Sequence, residues 1–192
     1  YLSGTLYVGS QVVDVSPLYI LKGKISRLPK AFNLIKEREV NSLQSATELS
    51  QIASLSIDYI FTDPPFGANL MYSELNLLWE SWLKIRTNSK DEAIENKCQN
   101  KSTLDYQELM TKCFKEYYRI LKQDCWMTVE FSNTNAAVWN GIQTALQRVG
   151  FIVANVAALD KKQGSFNAVS NPTSVKQDLV ISCYKPSSQF EK

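Results

Sequence analysis

A chain of 192 residues with 44% apolar and 11% aromatic side chains has the composition of a folded globular protein and the length to bury a hydrophobic core. Its net charge of +2 excludes a polycation, so any contact with nucleic acid must come from locally placed Lys and Arg. The complete lack of histidine excludes Ser-His-Asp catalysis, Cys-His catalysis and histidine-ligated metal sites within this chain.

The four cysteines form no Cys-x-x-Cys pair, which argues against a zinc ribbon or a thioredoxin motif. In a chain with a large core we expect free, partly buried thiols in a reducing cytosol rather than two disulfides. No run approaches the roughly 18 apolar residues of a membrane span. The chain starts with neither Met nor a signal peptide, so we expect it to begin inside a longer protein.

The first half of the chain predicts two strands and three helical stretches. A strand pair or one bent strand covers residues 6–15, and Pro17 opens a short helix or extended stretch. Apolar spacing predicts an amphipathic helix over residues 42–54. The apolar run Ile57–Thr62 predicts a buried strand that stops at two prolines, and a helix follows over residues 73–83. That helix carries Trp79 and Trp82, which suit core packing better than base stacking.

The second half alternates helices and strands. Residues 86–103 are polar and are typical of a mobile surface loop, either a lid or plain disorder. The remaining predicted elements are a helix over 104–121 with Cys113 in its core stripe, a turn at 122–124, a strand over 125–131, a helix from an Asn135 N-cap to Val149 with Gly150 as C-cap, a strand over 151–159, a polar connection over 161–174 and a last strand over 178–184.

This alternation predicts an α/β fold in a single domain, residues 1–192. The last two strands have no helix between them, which favours an antiparallel hairpin at the edge of the sheet.

The segment from Asp63 to Phe66 is the clearest candidate for chemistry. It follows a strand, where open α/β sheets place their ligands. Pro64 and Pro65 lack N–H donors, so their carbonyls are expected to be unpaired acceptors beside the Asp63 carboxylate, and Phe66 adds a flat apolar face. Such a group suits a planar ring that carries an amino donor, such as adenine or cytosine. The alternative is a tight turn in which Asp63 caps the next segment and Phe66 joins the core.

The residues around this segment resemble a known family. The stretch from Ser56 to Gly67 resembles the catalytic motif of amino-group DNA methyltransferases, in which Asp at the first position is usual for N6-adenine enzymes and Ser for N4-cytosine enzymes. Residues 71–83, 114–122, 163–166 and 175–182 resemble one group of bacterial adenine-specific DNA methylases, although Lys122-Gln123-Asp124 replaces the Lys-Pro-Gly of many relatives. The resemblance covers about residues 1 to 186.

The resemblance implies a partial Rossmann-like methyltransferase fold. The family's glycine-rich loop for S-adenosylmethionine is missing, since no Gly-x-Gly occurs in the sequence. The chain therefore resembles the C-terminal catalytic half of the domain, strands four to seven. An exposed edge beside strand four would invite a homodimer or be covered by residues 6–15.

The implied activity is transfer of methyl from S-adenosylmethionine to the exocyclic amine of a flipped adenine in DNA. Asp63 and the Pro64 carbonyl would accept hydrogen bonds from the amine, Pro65 would stiffen the loop, and Phe66 would stack on the base. Asp63 and Phe66 are also candidates for bordering the cofactor. No metal and no membrane are implied, and the expected location is the bacterial cytoplasm, with a role such as restriction-modification. Two alternatives stay open, namely an inactive half-domain that binds nucleic acid or a partner, and an RNA or protein amino-methyltransferase.

Tyr72 is a further candidate that either lines the pocket or packs. Lysines at 161, 162 and 176 and the polar loop over 86–103 are candidates for phosphate contacts.

Overall fold

The computed structural model describes residues 15–29, 40–132, 135–160 and 177–187. The described residues divide into two compact units, one containing those before residue 44 and the other containing those from residue 44 onward. The first unit holds helix α1, Pro17–Ile25, which begins with Pro at its first turn and buries none of its side chains. The expected short helix opened by Pro17 is therefore confirmed, whereas the expected strand over residues 6–15 lies almost wholly outside the described residues.

The larger unit is a mixed α/β arrangement around one open sheet of four strands in the order β1-β2-β4-β3. The strands β1 and β2 are parallel, and the pairs β2–β4 and β4–β3 are antiparallel. The expected α/β class and the C-terminal antiparallel hairpin are confirmed. The elements are β1 (Ile57–Thr62), α2 (Tyr72–Leu83), α3 (Thr103–Ile120), β2 (Leu121–Phe131), α4 (Ala136–Val149), β3 (Ile152–Asp160) and β4 (Gln177–Tyr184), with short 3-10 turns at Ser89–Asp91 and Lys97–Gln99.

Local signals explain the two long helices. Ser102 caps α3 in a reciprocal capping box with Asp105. The side chain of Asn135 accepts from the backbone N–H of Ala137 at the start of α4, and Gly150 ends that helix with a φ of 106°. Both caps of α4 were expected from the sequence and are confirmed.

The core lies on one face of the sheet, against α3 and α4. Met127, Val129 and Phe131 of β2 are fully buried there, and Cys113 of α3 is buried as expected. On the opposite face the aromatic side chains are open, with Tyr59 54% and Phe61 60% exposed. The expectation that Ile57–Thr62 is a buried strand is wrong, because β1 lies at the edge of the four-stranded sheet and each of its residues is exposed or half-buried.

The expected helix over residues 42–54 is also wrong, since this segment forms turns. Glu116 accepts from the Leu49 N–H at 2.7 Å, and the guanidinium of Arg119 donates to the carbonyls of Leu49 at 2.7 Å and Ile52 at 2.9 Å. These side chains therefore occupy the Leu49 N–H and the Leu49 and Ile52 carbonyls, which a helix would need for its own backbone hydrogen bonds. Serine hydroxyls add competition, since Ser45 accepts from the backbone N–H of Thr47.

The expected turn at residues 122–124 is part of β2, which follows α3 with no loop. An irregularity remains there, because Asp124 has a φ of 59° and its N–H donates to the Lys185 carbonyl at 2.8 Å. The expectation of free thiols is confirmed, since all four cysteines are unpaired and Cys113 and Cys183 are buried. Within the described residues, no helix combines the length and the apolarity needed to cross a membrane.

Candidate active site

The Asp63–Gly67 loop leaves the carboxyl end of β1 and runs towards α2. Asp63 is exposed, while Pro64 and Gly67 are buried. Gly67 has a φ of 70°, a conformation that a residue with a Cβ rarely adopts. The loop therefore exposes the Asp63 side chain to solvent, while Pro64 and Gly67 are buried and fix the loop against the protein.

Tyr106 of α3 holds this loop from behind. Its hydroxyl donates to the Pro65 carbonyl at 2.7 Å, and its side chain is fully buried. Burial raises the pKa of Tyr106 far above its ordinary value, with a weaker opposing effect from a hydrogen bond to the Gly67 backbone. The phenol therefore stays protonated and remains a donor. The expectation that the Pro65 carbonyl is an unpaired acceptor facing the cleft is wrong, because Tyr106 occupies it.

Phe66 is partly buried against the core. Its ring meets that of Phe131 edge to face, with centroids 5.4 Å apart and an interplanar angle of 80°. This contact fixes the orientation of the Phe66 ring at the end of β2, which is adjacent to β1. A fixed ring is suited to stacking on a planar group.

Tyr72, at the first position of α2, lies within electrostatic reach of Asp63. Burial raises the pKa of Tyr72 first, and the negative charge of Asp63 raises it further. The structure thus brings Tyr72 close to the Asp63–Gly67 loop. The sequence had suggested Tyr72 as a residue that either lines the pocket or packs. Of the candidate phosphate contacts, the lysines at 161, 162 and 176 lie outside the described residues.

The polar segment 86–103 is not simply a mobile loop, because it packs against the candidate site. Glu92 accepts from the Ser73 N–H at 2.9 Å and from its hydroxyl at 2.5 Å, and the Glu95 N–H donates to the Gly67 carbonyl at 3.2 Å. Lys101 closes the segment by donating to the Glu92 carbonyl at 2.7 Å. Ile94 is fully buried. The expectation of a surface loop is therefore wrong at Ala93 and Ile94, which are buried.

Glu95 is an unusual neighbour of the loop. Its Oε1 atom is buried and has no hydrogen-bond partner in the part of the chain that the structure describes. Its charge also acts on Tyr106, whose pKa it raises to a lesser degree than burial does. Sequence analysis identified neither residue. Tyr106 lies three residues before Leu109 on the buried stripe of α3, so the helical period was a signal that could have included it.

Comparison with known proteins gives one family. A family model described as DNA methylase matches residues 57–191. No curated protein sequence is significantly similar to the chain.

Several solved structures have a similar fold, all at low identity. The chain is 13% identical to the putative DNA modification methylase TTHA0409 from Thermus thermophilus in complex with S-adenosyl-L-methionine, with a TM-score of 0.45 over 75% of this chain and 54% of that one. The cytosine-N4-specific PvuII DNA methyltransferase is 14% identical, with a TM-score of 0.49 over 76% and 49%. The chain thus spans about half the length of these proteins.

Proposed function

Because the chain belongs to the DNA methylase family, we propose that it is the catalytic half of an S-adenosylmethionine-dependent DNA methyltransferase that modifies the N6 amine of adenine. The observation that carries the proposal is the exposed Asp63 carboxylate at the end of β1, on a loop that Tyr106 fixes from the core side. The Asp at the first position of the motif favours adenine over cytosine.

The chemistry of the loop suits a flipped base with an amino group. The amine lone pair of adenine is delocalised into the ring, so nitrogen is a poor nucleophile. Hydrogen bonds from the amine to the Asp63 carboxylate and the Pro64 carbonyl would favour a pyramidal nitrogen and stabilise the positive charge that grows on it. Phe66, held edge-on by Phe131, would stack on the base and orient it.

S-adenosylmethionine would supply an electrophilic methyl group on a sulfonium. The residues present fit the amine acceptor and not the cradle of this cofactor, because the sequence contains no Gly-x-Gly for close backbone approach. We propose that the cradle belongs to a separate half of the domain and that residues 1–192 are the C-terminal catalytic half. We propose that the protein acts on DNA in the cytoplasm of a bacterium.

The open edge of β1 supports a further part of this proposal. In the described residues, β1 has a neighbouring strand on one side only. An unpaired edge readily accepts another strand. We propose that a second copy of the chain pairs with this edge, and light scattering would detect the resulting homodimer.

The second candidate function is a catalytically inactive half-domain that binds DNA or a partner. The missing Gly-x-Gly favours it for this chain alone. The two functions differ in a simple assay of the longer natural protein that we propose, in which this chain is joined to the half that holds the cofactor and which should transfer methyl groups to DNA only under the first function. Digestion of the product to nucleosides would then separate N6-methyladenine from N4-methylcytosine and from a modified RNA or protein.

A further inference from the structure

Helix α2 has an inverted pattern of burial. Its sequence is predominantly apolar, yet its one buried side chain is a glutamate, Glu80. The large apolar residues of the helix lie outward, with exposed fractions between 52% and 83% for Leu77, Leu78, Trp79, Trp82 and Leu83. The expectation that Trp79 and Trp82 pack in the core is therefore wrong. A cluster of this kind on a protein surface marks a contact with another molecule.

Polar tethers, and not apolar packing, hold α2 in place. The carboxylate of Glu80 accepts from the Thr87 N–H at 2.9 Å and from the Thr87 hydroxyl. Glu74 accepts from the Asn96 amide at 3.1 Å. The first turn is held by Glu92 through Ser73. Because these hydrogen bonds fix the helix on its protein-facing side, its apolar side chains stay exposed and available to a partner.

The exposed charges that follow the cluster, at the end of the helix, are positive, whereas Glu74 near the start of the helix is exposed and accepts from the Asn96 amide. Hydrogen bonds from Thr87, and more weakly the charge of Arg86, lower the pKa of Glu80, so this carboxylate is ionised, and its hydrogen bonds are directed at the protein. Lys84 and Arg86 follow the helix, are exposed, and form no ion pair with any residue that the structure describes. The end of the helix thus combines two indole rings with two exposed cations, while the buried Glu80 is bonded to Thr87.

We propose that this surface, which we call the α2 face and define as Leu78, Trp79, Trp82, Leu83, Lys84 and Arg86, contacts the DNA beside the base that enters the site. The inference rests on the proposed function. Exposed cations beside aromatic rings suit DNA, because Lys and Arg neutralise phosphates and the indole rings can pack against the sugars and base edges of the flanking duplex. The two exposed cations at the end of the helix favour a polyanion over an apolar protein surface.

The position of α2 agrees with this role. The helix begins at Tyr72, within electrostatic reach of Asp63. Its 12 residues correspond to about 18 Å at about 1.5 Å per residue, which is roughly five base pairs of duplex at about 3.4 Å each. The α2 face can therefore reach the DNA that flanks the target base on one side.

The test is DNA affinity as a function of salt, measured with the longer natural protein and a duplex that it methylates. Trp82→Ala should weaken binding about tenfold, in line with the loss of one apolar contact to the edge of a base. Lys84→Ala and Arg86→Ala should each reduce the slope of log affinity against log salt by about 1. The matched controls are Leu104→Ala and Lys112→Ala, which remove an exposed leucine and an accessible lysine of α3 and should leave both quantities unchanged.

The outcomes separate this inference from the proposed function. If the wild-type protein methylates DNA and the α2 variants bind it with unchanged affinity and salt slope, the α2 face is not a DNA contact and only this inference is overturned. A change in oligomeric state of Trp82→Ala with unchanged DNA affinity would assign the surface to a protein partner instead. A wild-type protein that neither binds nor methylates DNA overturns the proposed function and this inference together.

Discussion

The hydroxyl of Tyr106 donates a hydrogen bond of 2.7 Å to the carbonyl of Pro65. Tyr106 is fully buried in the core that α3 forms with the sheet, and Pro65 belongs to the loop that leaves the end of β1. This bond couples the rigid core to a loop whose prolines offer no N–H groups for anchoring. The loop therefore depends on donors from other elements, the Tyr106 hydroxyl and the Glu95 N–H, for its position.

Tyr106→Phe tests this dependence. Removing the hydroxyl leaves the Pro65 carbonyl without its partner, and we expect a loss of about 1–3 kcal/mol in the free energy of unfolding. Because the loop would lose its fixed position, kcat for DNA methylation by the longer protein should fall about tenfold while KM for DNA changes little. Tyr59→Phe is the control, since it removes a hydroxyl from the exposed face of β1.

A variant with lower stability and unchanged kcat would limit Tyr106 to a structural role. Rescue is not expected from Tyr106→Leu, which also lacks the hydroxyl and leaves a cavity in the core.

Glu116 predicts a pH-dependent contribution to stability. A hydrogen bond from Arg119 lowers the pKa of Glu116, and bonding to the Leu49 N–H lowers it further. A carboxyl whose pKa is lower in the folded state stabilises the fold above its unfolded pKa, near 4.5, and loses that contribution as the pH falls through the folded value. Glu116→Gln should therefore be less stable than wild type by about 1 kcal/mol at pH 7, and the difference should shrink below pH 4.5.

Urea denaturation at about pH 7 and about pH 3, on either side of the unfolded pKa, measures this difference. Glu108→Gln is the control, because Glu108 is an exposed glutamate on the same helix. A difference between wild type and Glu116→Gln that is equal at both pH values would show that the carboxylate charge has no part in holding residues 49–52.

Lys185 predicts a stability effect far from the site. It is buried and donates to the carbonyls of Tyr118 at 2.7 Å and Leu121 at 3.0 Å, with its ammonium 4.5 Å from the centre of the Tyr118 ring. Lys185→Met keeps the volume and removes the donors, so two carbonyls at the junction of α3 and β2 lose a partner. We expect a loss of about 1–3 kcal/mol in the free energy of unfolding by urea denaturation.

Lys122→Met serves as the comparison, since Lys122 forms an exposed ion pair with Asp58 and its loss should have little effect. Equal stability of the two variants would mean that the junction carbonyls are satisfied without Lys185.

The sequence predicted helices and strands well where residues within the element itself determine its structure. The Asn135 and Gly150 caps and the apolar stripe of α3 act within a few residues, so they are visible in the sequence. The segment 42–54 was misread because its backbone partners, Glu116 and Arg119, are distant in sequence, with separations of 67 and 70 residues from Leu49. Apolar spacing alone could not show that a helix is absent there.

The candidate site was predicted only in part for the same reason. The chemistry of Asp63 is local, whereas the anchor Tyr106 depends on how α3 packs behind the loop. Trp79 and Trp82 have the hydropathy of core residues, and their exposure follows from the polar tethers of α2. A hydropathy pattern identifies an apolar face without showing whether the chain itself covers it.

The most direct test of the proposed function is methylation of DNA by the longer natural protein and by its Asp63→Ala and Asp63→Asn variants. Incorporation of labelled methyl groups and nucleoside analysis would be measured alongside thermal unfolding. We predict N6-methyladenine from the wild type and a loss of activity of at least about 100-fold in both variants, with unchanged unfolding temperatures, because Asp63 is exposed and, in the proposed mechanism, its carboxylate charge would stabilise the transition state. Full activity of a folded Asp63→Ala variant would contradict the account.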